Sequence, residues 1–443
     1  MSKKFFKSVL VIAPHCDDEM LAAGGMIQTH IKHGARVRVV LLTNGDGQYR
    51  HTFMTPHEKI GLGERRQRES LNALAHIGVS RENVTFLSYP DRGLNRLWNE
   101  FWDCEKLYRS PRTGKDHSVY KRSFTPGAPY CGMAVVKDLK QILLKYQPNI
   151  VVMPHPNDLH MDHWAANAFT LYAIEKIKRE YPRNQNLKQT KLLTYIVHFG
   201  RWPMPRGKYL KANLEPPKPL LQLDTRWLRE ELEPAMIAKK LESIKLYKSQ
   251  FEFMSRYMES FARRNELFGI VPTLTLGEHT RLVGGSHGDL GELLSNPNEL
   301  SEDEFPLVSY HGLQRPGLLA KLRPYSSIKT VSVERDKNQI TVGVEFRGRM
   351  LLLNKMMIHI KPVSAADNND TFRFVYMRRR LYVNNSDITT DKRFSLKFKN
   401  GKYFALTIPL RYLHSPDNIL LGVELIKNEI IFDKSAYRLI ILK

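Results

Sequence analysis

The feature that most constrains the fold is an apolar run that ends in a cluster of metal-binding side chains. Residues 8–13 (Ser-Val-Leu-Val-Ile-Ala) have the composition of a buried β-strand, and His15-Cys16-Asp17-Asp18-Glu19 follow one residue later. Open α/β folds place their sites at this carboxyl edge of the sheet. Carboxylates are costly to bury unless they are paired or bound to a cation, so three in succession suggest a functional site. The alternative is an acidic cap, with Asp17 or Asp18 at the start of the next helix.

The first half of the chain alternates between strand and helix patterns. Strands separated by helices are typical of βαβ units, so the sequence predicts an α/β fold with a Rossmann-like, mostly parallel sheet and helices on both faces. A further segment, residues 228–264, is rich in Lys, Glu and Leu and is predicted as one or two long helices. The predicted strands are 8–13, 35–42, 84–88, 150–153 and 192–198, and the other predicted helices are 20–33, 62–77, 134–146 and 164–179.

The last third of the chain has a different pattern. Short alternating runs separated by Asn, Gly and Asp predict a C-terminal all-β, sandwich-like domain. Before it, residues 289–304 carry six acidic residues and no Lys or Arg, which is typical of a linker. We therefore predict an α/β domain over residues 1–288, an acidic linker over 289–324 and a basic β-sandwich over 325–443. The predicted strands of the sandwich are 328–334, 339–346, 372–377, 394–398, 403–408, 419–425 and 437–442.

The chain is strongly basic, with 68 Lys and Arg, 45 Asp and Glu, and a formal net charge of +23. Residues 311–443 hold 24 of the basic and 11 of the acidic residues. Such a field favours polyanions (nucleic acid, an anionic polysaccharide or an anionic lipid surface), and a basic surface that is merely solvated is the alternative. We expect an anionic polymer or surface as a partner of the C-terminal domain, and no specific nucleic acid.

The cysteines and the apolar runs bear on the compartment. Cys16, Cys104 and Cys131 are too few for a disulfide framework and form no CxxC pair, which fits a reducing compartment. The first residues resemble a signal peptide superficially, but the apolar stretch is short and leads into His15 rather than into a cleavage site. No apolar run approaches the roughly 18–20 residues of a membrane helix. We expect a mature cytoplasmic chain without a transmembrane segment; its oligomeric state is not indicated.

A second cluster of imidazole and carboxylate groups follows a later strand. Residues 150–153 are apolar, and residues 154–163 are Pro-His-Pro-Asn-Asp-Leu-His-Met-Asp-His. Two clusters that each follow a parallel strand can meet at one sheet edge. A catalytic zinc ion takes three protein ligands and keeps one position open, and a nearby carboxylate can then act as a general base. Two histidines and a carboxylate would make such a ligand set.

The two clusters resemble the hallmark motifs of the zinc-dependent N-acetylglucosaminyl deacetylases of the GlcNAc-phosphatidylinositol de-N-acetylase (PIG-L/LmbE-like) family. The family motifs are Pro/Ala-His-Pro-Asp-Asp-Glu and His-x-Asp-His, which correspond to residues 14–19 and 160–163. Arg66-x-x-Glu69-x-x-x-Ala73 and Tyr89-Pro90-Asp91-x-Gly93-Leu94 resemble two further family segments. The resemblance extends over residues 5–270 and implies that the predicted domain 1–288 is a deacetylase domain.

The resemblance also implies how metal and water would be handled. His15, Asp18 and His163 would bind zinc, or another divalent metal such as Fe²⁺. Asp17 would be the general base for a zinc-activated water that attacks the acetamide carbonyl. His160 would hold the oxyanion or protonate the leaving amine.

The same resemblance implies roles for residues around the metal ligands and the sugar. Asp162 would orient His160 or a metal ligand. Arg66 and Asp91 would lie near the sugar. Asp158 would either contact a sugar hydroxyl or only shape its loop.

Cys16 stands where the family has Pro. Proline would stiffen the turn that directs the ligands, whereas cysteine is either a packing residue or a soft zinc ligand. Because the neighbouring residues already supply a complete ligand set, we expect Cys16 to pack away from the metal. The same completeness argues against three other histidines as ligands: His155, His198 and His279.

Three further segments have a functional and an ordinary interpretation. Residues 43–47 (Thr-Asn-Gly-Asp-Gly) could line a phosphate or sugar, but they lack GxGxxG spacing and favour a tight βα turn. Trp202, in the Pro-rich segment 200–207 with an arginine on either side, is a candidate for sugar stacking; a plain surface loop is the alternative. Residues 377–380 (Met-Arg-Arg-Arg) and 392–399 form either an anion patch or solvated strand faces.

The two clusters, together with the family resemblance, imply a metal-dependent hydrolase that removes an N-acetyl group from a GlcNAc-containing glycoconjugate and releases acetate. One rival is a carbohydrate- or polyanion-binding protein with a vestigial metal site. Another is an amidase that acts on a non-sugar N-acyl substrate. The sequence does not indicate which group the sugar carries.

Overall fold

The structure is a computed structural model that describes residues 6–47, 54–277, 281–283, 328–346, 348–350, 354–364, 370–427 and 430–442. The chain divides into two compact units. The N-terminal unit comprises Met1–Pro217 and Arg226–Ile270, and the C-terminal unit comprises Lys218–Thr225 and Val271–Lys443. The predicted acidic linker, residues 289–324, lies outside the described residues, and the predicted domain boundaries stay a prediction.

A seven-stranded sheet forms the centre of the N-terminal unit, in the order β3-β2-β1-β4-β5-β7-β6. The first five strands in this order pair in parallel, whereas β7 is antiparallel to both of its neighbours. The strands are β1 (Ser8–Ala13), β2 (Arg36–Thr43), β3 (Val84–Tyr89), β4 (Ile150–Pro154), β5 (Lys191–Tyr195), β6 (Arg226–Glu231) and β7 (Asn265–Ile270). The mostly parallel sheet predicted from the sequence is confirmed.

Helices cover both faces of this sheet. The first helix packs against α7, and α7 in turn against α2; on the other face α5 packs against α3 and α4. The helix α2 begins six residues before its predicted start because Thr55 and Glu58 form a capping box and Pro56 occupies the first helical position. The helices are α1 (Asp18–Lys32), α2 (Pro56–His76), α3 (Leu94–Asn99), α4 (Gly132–Tyr146), α5 (Met161–Glu180), α6 (Gln185–Lys188), α7 (Pro234–Ile244) and α8 (Lys248–Glu259).

Two sheets form the C-terminal unit, as the predicted sandwich requires, and they are antiparallel except for the parallel pair of β8 with β20. One has five strands in the order β16-β17-β11-β10-β9; the other has the order β15-β14-β13-β12-β18-β20-β8, with β19 paired to β18. Buried side chains from both sheets, such as Val342, Phe404, Ile358 and Val423, share one apolar core. The strands are β8 (Leu274–Leu276), β9 (Arg281–Val283), β10 (Ile328–Asp336), β11 (Gln339–Phe346), β12 (Lys355–Val363), β13 (Phe372–Met377), β14 (Arg380–Val383), β15 (Ser386–Asp387), β16 (Ser395–Lys399), β17 (Tyr403–Pro409), β18 (Asn418–Lys427), β19 (Ile430–Lys434) and β20 (Arg438–Leu442).

The prediction of helix over residues 228–264 is wrong at both ends. Arg226–Glu231 is the strand β6, whose exposed, charged side chains have high helix propensity but lie at the sheet edge, paired with β7. The helices α7 and α8 fill only the middle of the segment. The strand β12 was not predicted, because it is buried on both faces and shows no alternation.

A disulfide joins Cys104 to Cys131, whose Cα atoms are 5.3 Å apart. Both cysteines flank the long connection between α3 and α4. This bond disagrees with the expectation of a reducing compartment, because disulfides form and persist in oxidising environments. Among the helices of the described residues, none has both the length and the apolar character needed to span a bilayer.

A buried ion pair ties α1 to α7 and β7. Lys240 donates to Glu266 at 2.6 Å and to the carbonyl oxygen of Leu21 at 2.8 Å. The same carboxylate accepts the backbone N–H groups of Gly25 and Met26, at 2.6 and 2.7 Å, in the middle of α1. Glu266 thus binds backbone N–H groups in the middle of the helix that begins at the cluster of residues 15–19.

We expect Glu266→Gln to lower the free energy of unfolding by about 3 kcal/mol, because the Lys240 charge would remain buried without its counter-ion. Urea denaturation followed by circular dichroism measures the change. The matched control is Glu233→Gln, which breaks the exposed Lys32–Glu233 pair at 2.7 Å and is expected to cost less than about 1 kcal/mol. Equal losses of unfolding free energy in the two variants would show that the buried ion pair stabilises the fold no more than the exposed one.

Candidate metal centre

The first cluster lies where β1 passes into α1. The five residues that end the strand and begin the helix are buried, and the βα turn after β2 packs against them: Thr43 donates from its backbone and side chain to the carbonyl oxygen of Pro14, both at 2.9 Å. Asp17 has φ 148°, a conformation that non-glycine residues rarely adopt. This local backbone turns Asp17 and Asp18 in different directions, so that the two carboxylates have different partners.

The second cluster lies between β4 and α5. His160 caps α5, since its Nδ1 accepts the backbone N–H of Asp162 at 3.2 Å. One turn further, His163 is fully buried on the helix face that points toward the first cluster. The register Val9↔Ile150 between β1 and β4 places the two clusters side by side.

Three atoms from the two clusters form a compact triangle, which we call the ligand triangle. His15 Nδ1 lies 2.9 Å from Asp18 Oδ2, His163 Nε2 lies 3.1 Å from the same oxygen, and the two nitrogens are 3.3 Å apart. Ligands about 2.0–2.2 Å from a tetrahedral metal ion are separated by about 3.3 Å. His15, Asp18 and His163 therefore have the spacing and chemistry to hold one divalent metal ion.

Carboxylates lie behind both histidines of the ligand triangle. His15 Nε2 is 3.2 Å from Asp162 Oδ2 and 3.3 Å from Asp91 Oδ1, and His163 Nδ1 is 3.2 Å from Asp158 Oδ2. Such outer carboxylates fix the orientation of ligating histidines and raise their basicity. Burial opposes protonation of His15, but these carboxylates and Asp18 raise its pKa well above the usual value.

Asp18 is held as a carboxylate. Burial by itself would raise its pKa, but His163 and His15 together lower the pKa well below the usual value. The ionised form is the one that binds metal, so the charge state of Asp18 suits its place in the ligand triangle.

Asp17 has other partners. Its Oδ2 lies 3.3 Å from the Arg66 guanidinium, and its backbone N–H donates to Glu19 Oε2 at 3.0 Å. Glu19 is itself held by the hydroxyl groups of Ser70 and Tyr247, at 2.8 and 2.7 Å. Burial raises the pKa of Asp17 to about 7, against the opposing effect of Arg66. A carboxylate with a pKa near neutrality, next to a metal site, suits a general base.

Arg66 and Asp91 are almost completely buried. Arg66 is 4% exposed and donates to the carbonyl oxygens of Cys16 and Gly45, at 2.7 and 2.8 Å. Asp91 is also 4% exposed and accepts the backbone N–H of Gly47 at 2.6 Å. These contacts brace the loops of the site, and the predicted contacts of both residues with a sugar stay predictions.

Asp158 lies under the site rather than at its opening. It is 1% exposed, and its oxygens accept the backbone N–H groups of His160, Val197 and His198 at 2.9–3.0 Å. This position is consistent with shaping of the loops, and the other expected role, a contact with a sugar hydroxyl, stays a prediction. Asp162 lies behind His15 and also accepts the backbone N–H groups of Arg92 and Leu94.

Cys16 belongs to the hydrophobic core of the N-terminal unit, with Sγ 4.0 Å from the carbonyl oxygen of Thr43. Burial raises the pKa of its thiol well above the usual value, so the sulfur is protonated and lies apart from the ligand triangle. His155 is stacked on Trp227 with ring centroids 5.4 Å apart. His279 lies outside the described residues.

His198, which the sequence argument set aside, faces the ligand triangle. Its Nε2 lies 4.0 Å from Asp18 Oδ1, and its ring is 4.7 Å from that of His163. The Tyr257 hydroxyl donates to the carbonyl oxygen of Val197 at 2.7 Å and therefore accepts from His198 Nδ1 at 3.2 Å. This assignment leaves the Nε2 lone pair of His198 directed toward the ligand triangle. His198 follows directly after β5, which is next to β4, and this position in the sequence could have indicated that His198 lies near the two clusters.

Trp202 lies outside the ligand triangle. Its indole N–H donates to the carbonyl oxygen of Glu215 at 2.8 Å, and its ring meets Phe261 edge to face at 5.5 Å. Phe261 in turn contacts Tyr257 at 5.2 Å, and Tyr257 stacks on His198 at 5.9 Å. A row of aromatic rings thus connects Trp202 with His198, and sugar stacking by Trp202 stays a prediction.

We expect Asp158→Asn to weaken binding of Zn²⁺ about 30-fold, because the outer carboxylate would no longer orient His163. Competition with a chelating dye measures the affinity. Asp116→Asn, an exposed aspartate of the same unit, serves as the control and should bind as the wild type does. Unchanged affinity of Asp158→Asn would contradict the role of this carboxylate.

Comparison with known proteins agrees with the motifs. Residues 10–174 match the family model of GlcNAc-PI de-N-acetylase, PIG-L. No curated protein sequence matches the chain at a significant level. Among solved structures, a conserved protein from Thermus thermophilus is 20% identical, with a TM-score of 0.38 over 60% of this chain and 94% of its own.

Two other solved structures have similar values. The N,N'-diacetylchitobiose deacetylase from Pyrococcus horikoshii is 20% identical (TM-score 0.38, 60% of this chain and 84% of that chain). The 4-carboxy-2-hydroxymuconate hydratase from Pseudomonas putida is 16% identical (TM-score 0.38, 60% and 98%). Residues 10–174 of this chain are thus similar to the PIG-L de-N-acetylase family.

Proposed function

We propose that the protein is a metal-dependent hydrolase that removes the N-acetyl group of a GlcNAc-containing substrate and releases acetate. The observation that carries this proposal is the pairing of the ligand triangle with a separate carboxylate, Asp17, held beside it by Arg66 and Glu19. Metal hydrolases need both parts: a site for the ion and a base outside the ligand set.

The ligand triangle is suited to zinc, since two imidazoles and one carboxylate leave one position of a tetrahedral site open, and Fe²⁺ is the alternative. When bound, such an ion polarises an amide carbonyl and makes water more acidic. His15 and His163 would hold it in the neutral form, oriented by Asp91, Asp162 and Asp158.

Asp17 takes the proton of the attacking water. Its unusual backbone, fixed through Glu19, keeps its carboxylate out of the ligand triangle, and Arg66 holds the carboxylate in place. The oxygen of water adds to the acetamide carbon, the carbon–nitrogen bond breaks, and acetate and an amine are formed. The proton collected by Asp17 can then pass to the amine.

His160 is suited to stabilise the charge on the carbonyl oxygen. Burial and the neighbouring histidines lower its pKa well below the usual value, so its ring is neutral. Since Nδ1 accepts a backbone N–H, the proton of the neutral ring is on Nε2, which can donate a hydrogen bond. A neutral donor that is preoriented in this way favours the oxyanion over the planar amide.

We expect Asp17→Asn to retain metal and to release acetate about a thousandfold more slowly, because the amide cannot take a proton from water. Acetate release from N-acetylglucosamine conjugates and metal content by mass spectrometry are measured on the same samples. Asp103→Asn, at an exposed position, is the control. A full rate in Asp17→Asn would rule out this mechanism.

The same assay tests the rival amidase. Simple N-acyl amines are compared with N-acetylglucosamine conjugates at equal concentration. Faster release of acid from the simple amines would favour an amidase, and absence of release from either class would favour a binding protein with a vestigial metal site.

The C-terminal unit supports a second function, binding of an anionic polymer or surface. Arg378 and Arg379 are exposed at the tip of the hairpin between β13 and β14, with φ 51° and 64°. Asn-Gly is preferred in such a turn, and a non-glycine residue there costs about 1 kcal/mol or more. The exposed Lys397 and Lys399 add charge on β16. No carboxylate within the described part of the chain pairs with these four side chains.

We expect the double variant Arg378→Asn, Arg379→Gly to be more stable by about 1 kcal/mol and to bind heparin several-fold more weakly. Denaturation and salt-dependent heparin binding measure the two effects. Arg183→Gln with Lys188→Gln removes two cations from the N-terminal unit as a control. Heparin binding that follows total charge alone would contradict a function of the hairpin.

The compartment is part of the proposal. The sequence predicts a cytoplasmic chain, but the Cys104–Cys131 disulfide favours an oxidising compartment. Alkylation of thiols in freshly lysed cells, followed by mass spectrometry, distinguishes the two.

A further inference from the structure

The ligand triangle is accessible on the side of His198. The side chains of its members are nearly inaccessible: 8% exposed for His15, 1% for Asp18 and 0% for His163. The side chain of His198, which faces the same atoms, is 35% exposed. His160, whose ring lies 4.6 Å from that of His15, is also partly exposed, so a substrate can approach the triangle on the side formed by His160 and His198.

Tyr257 is the next side chain beyond His198. Its ring stacks on His198 with centroids 5.9 Å apart, and its hydroxyl contacts His198 Nδ1 at 3.2 Å. The guanidinium of Arg206 lies over the same ring, 4.2 Å from its centroid. One aromatic ring thus connects the accessible side of the ligand triangle with a fixed positive charge.

The loop that carries Arg206 is anchored to the N-terminal unit. Arg263, 2% exposed, donates to the carbonyl oxygens of Pro205 and Asn213, at 2.7 and 3.4 Å. Asn265 exchanges two hydrogen bonds with the backbone of Leu214, at 2.8 and 3.0 Å. These contacts fix the loop both before and after Arg206 in the sequence, so the position of Arg206 is well defined.

The charge of Arg206 is not balanced by an acid. Its hydrogen bonds go to the carbonyl oxygens of Arg201 and Trp202, both at 3.2 Å, and no carboxylate in the described residues pairs with it. Besides Arg206 itself, residues 201–211 contain three basic residues and no acidic residue. A half-buried cation beside a substrate path gains most from an anionic group supplied by the substrate.

We propose that the substrate carries an anionic group, a phosphate or a carboxylate, on a position next to its acetamido group, and that Arg206 on Tyr257 binds it. This inference rests on the proposed deacetylase function and adds the class of substrate. Arg206 is a specificity residue in this scheme, because it touches the substrate away from the reacting amide.

Three probes test the inference. N-Acetylglucosamine 1-phosphate carries a phosphate beside the acetamido carbon, N-acetylmuramic acid carries a carboxylate there, and methyl N-acetylglucosaminide is neutral. The wild type should deacetylate at least one anionic probe with kcat/KM about tenfold above the neutral one, the difference made by one charge-assisted hydrogen bond. The two anionic probes distinguish phosphate from carboxylate.

Arg206→Gln should remove this preference by raising KM for the anionic probe about tenfold and leaving the neutral probe unchanged. Arg206→Lys should keep part of it, and Arg183→Gln, an exposed arginine of the same unit, should keep all of it. Equal kcat/KM for anionic and neutral probes in the wild type would overturn the inference. Equal losses on all probes in Arg206→Gln would also overturn it, because they would indicate a merely structural role.

Binding separates this inference from the proposed reaction. Calorimetry on Asp17→Asn measures the affinity for the same three probes without turnover. Tighter binding of an anionic probe that is lost in the Asp17→Asn, Arg206→Gln double variant supports Arg206 even if no probe is deacetylated. Acetate release from neutral and anionic probes at one rate would leave the deacetylase function standing and the inference refuted.

Discussion

The parallel pairing of β1 with β4 is the constraint on which the candidate site depends. It places the carboxyl ends of two strands, about 140 residues apart in the sequence, next to each other, and every atom of the ligand triangle follows one of these two ends. Strands paired in this way need a crossover, and here β2, β3 and four helices make up the intervening chain. The sheet thus determines where the two clusters lie relative to each other, and the loops determine only the conformation of the residues that directly follow each strand.

Burial of so many ionisable groups is tolerated because they compensate one another. Asp18 is ionised between two histidines, Asp91 and Asp162 face His15, and Asp158 lies behind His163. An isolated carboxylate in the same place would be protonated or would destabilise the fold. Among these buried groups, the charge of Asp17 is compensated least, because burial raises its pKa to about 7 despite Arg66. Electrostatics therefore distinguishes neighbouring residues of one motif that share the same side chain.

Much of the N-terminal fold could be predicted because its strands are apolar and its helices amphipathic. The prediction failed where that signal was absent: β6 is charged and lies at an edge, and β12 is buried on both faces. The meeting of the two clusters could be predicted from their positions after parallel strands. The sequence could not show that Asp158 lies beneath His163, or that Arg66 braces backbone carbonyls, because these contacts depend on loop conformations. His198 was not predicted as part of the site because a complete set of three ligands does not indicate which other side chains face those ligands.

The disulfide has a consequence for how the unit can be assembled. Cys104 and Cys131 close a segment that brings Tyr120 into hydrogen-bonding contact with Asp46, a buried neighbour of Asp91. Closing such a segment restricts the unfolded chain and leaves the sheet unaltered. The third cysteine, Cys16, is sealed in the core once β1 has docked, so mispairing with it is limited to the period before the sheet forms. The correct disulfide therefore forms reliably only if oxidation follows formation of the sheet. A host that oxidises thiols before the sheet has formed would accumulate chains linked through Cys16.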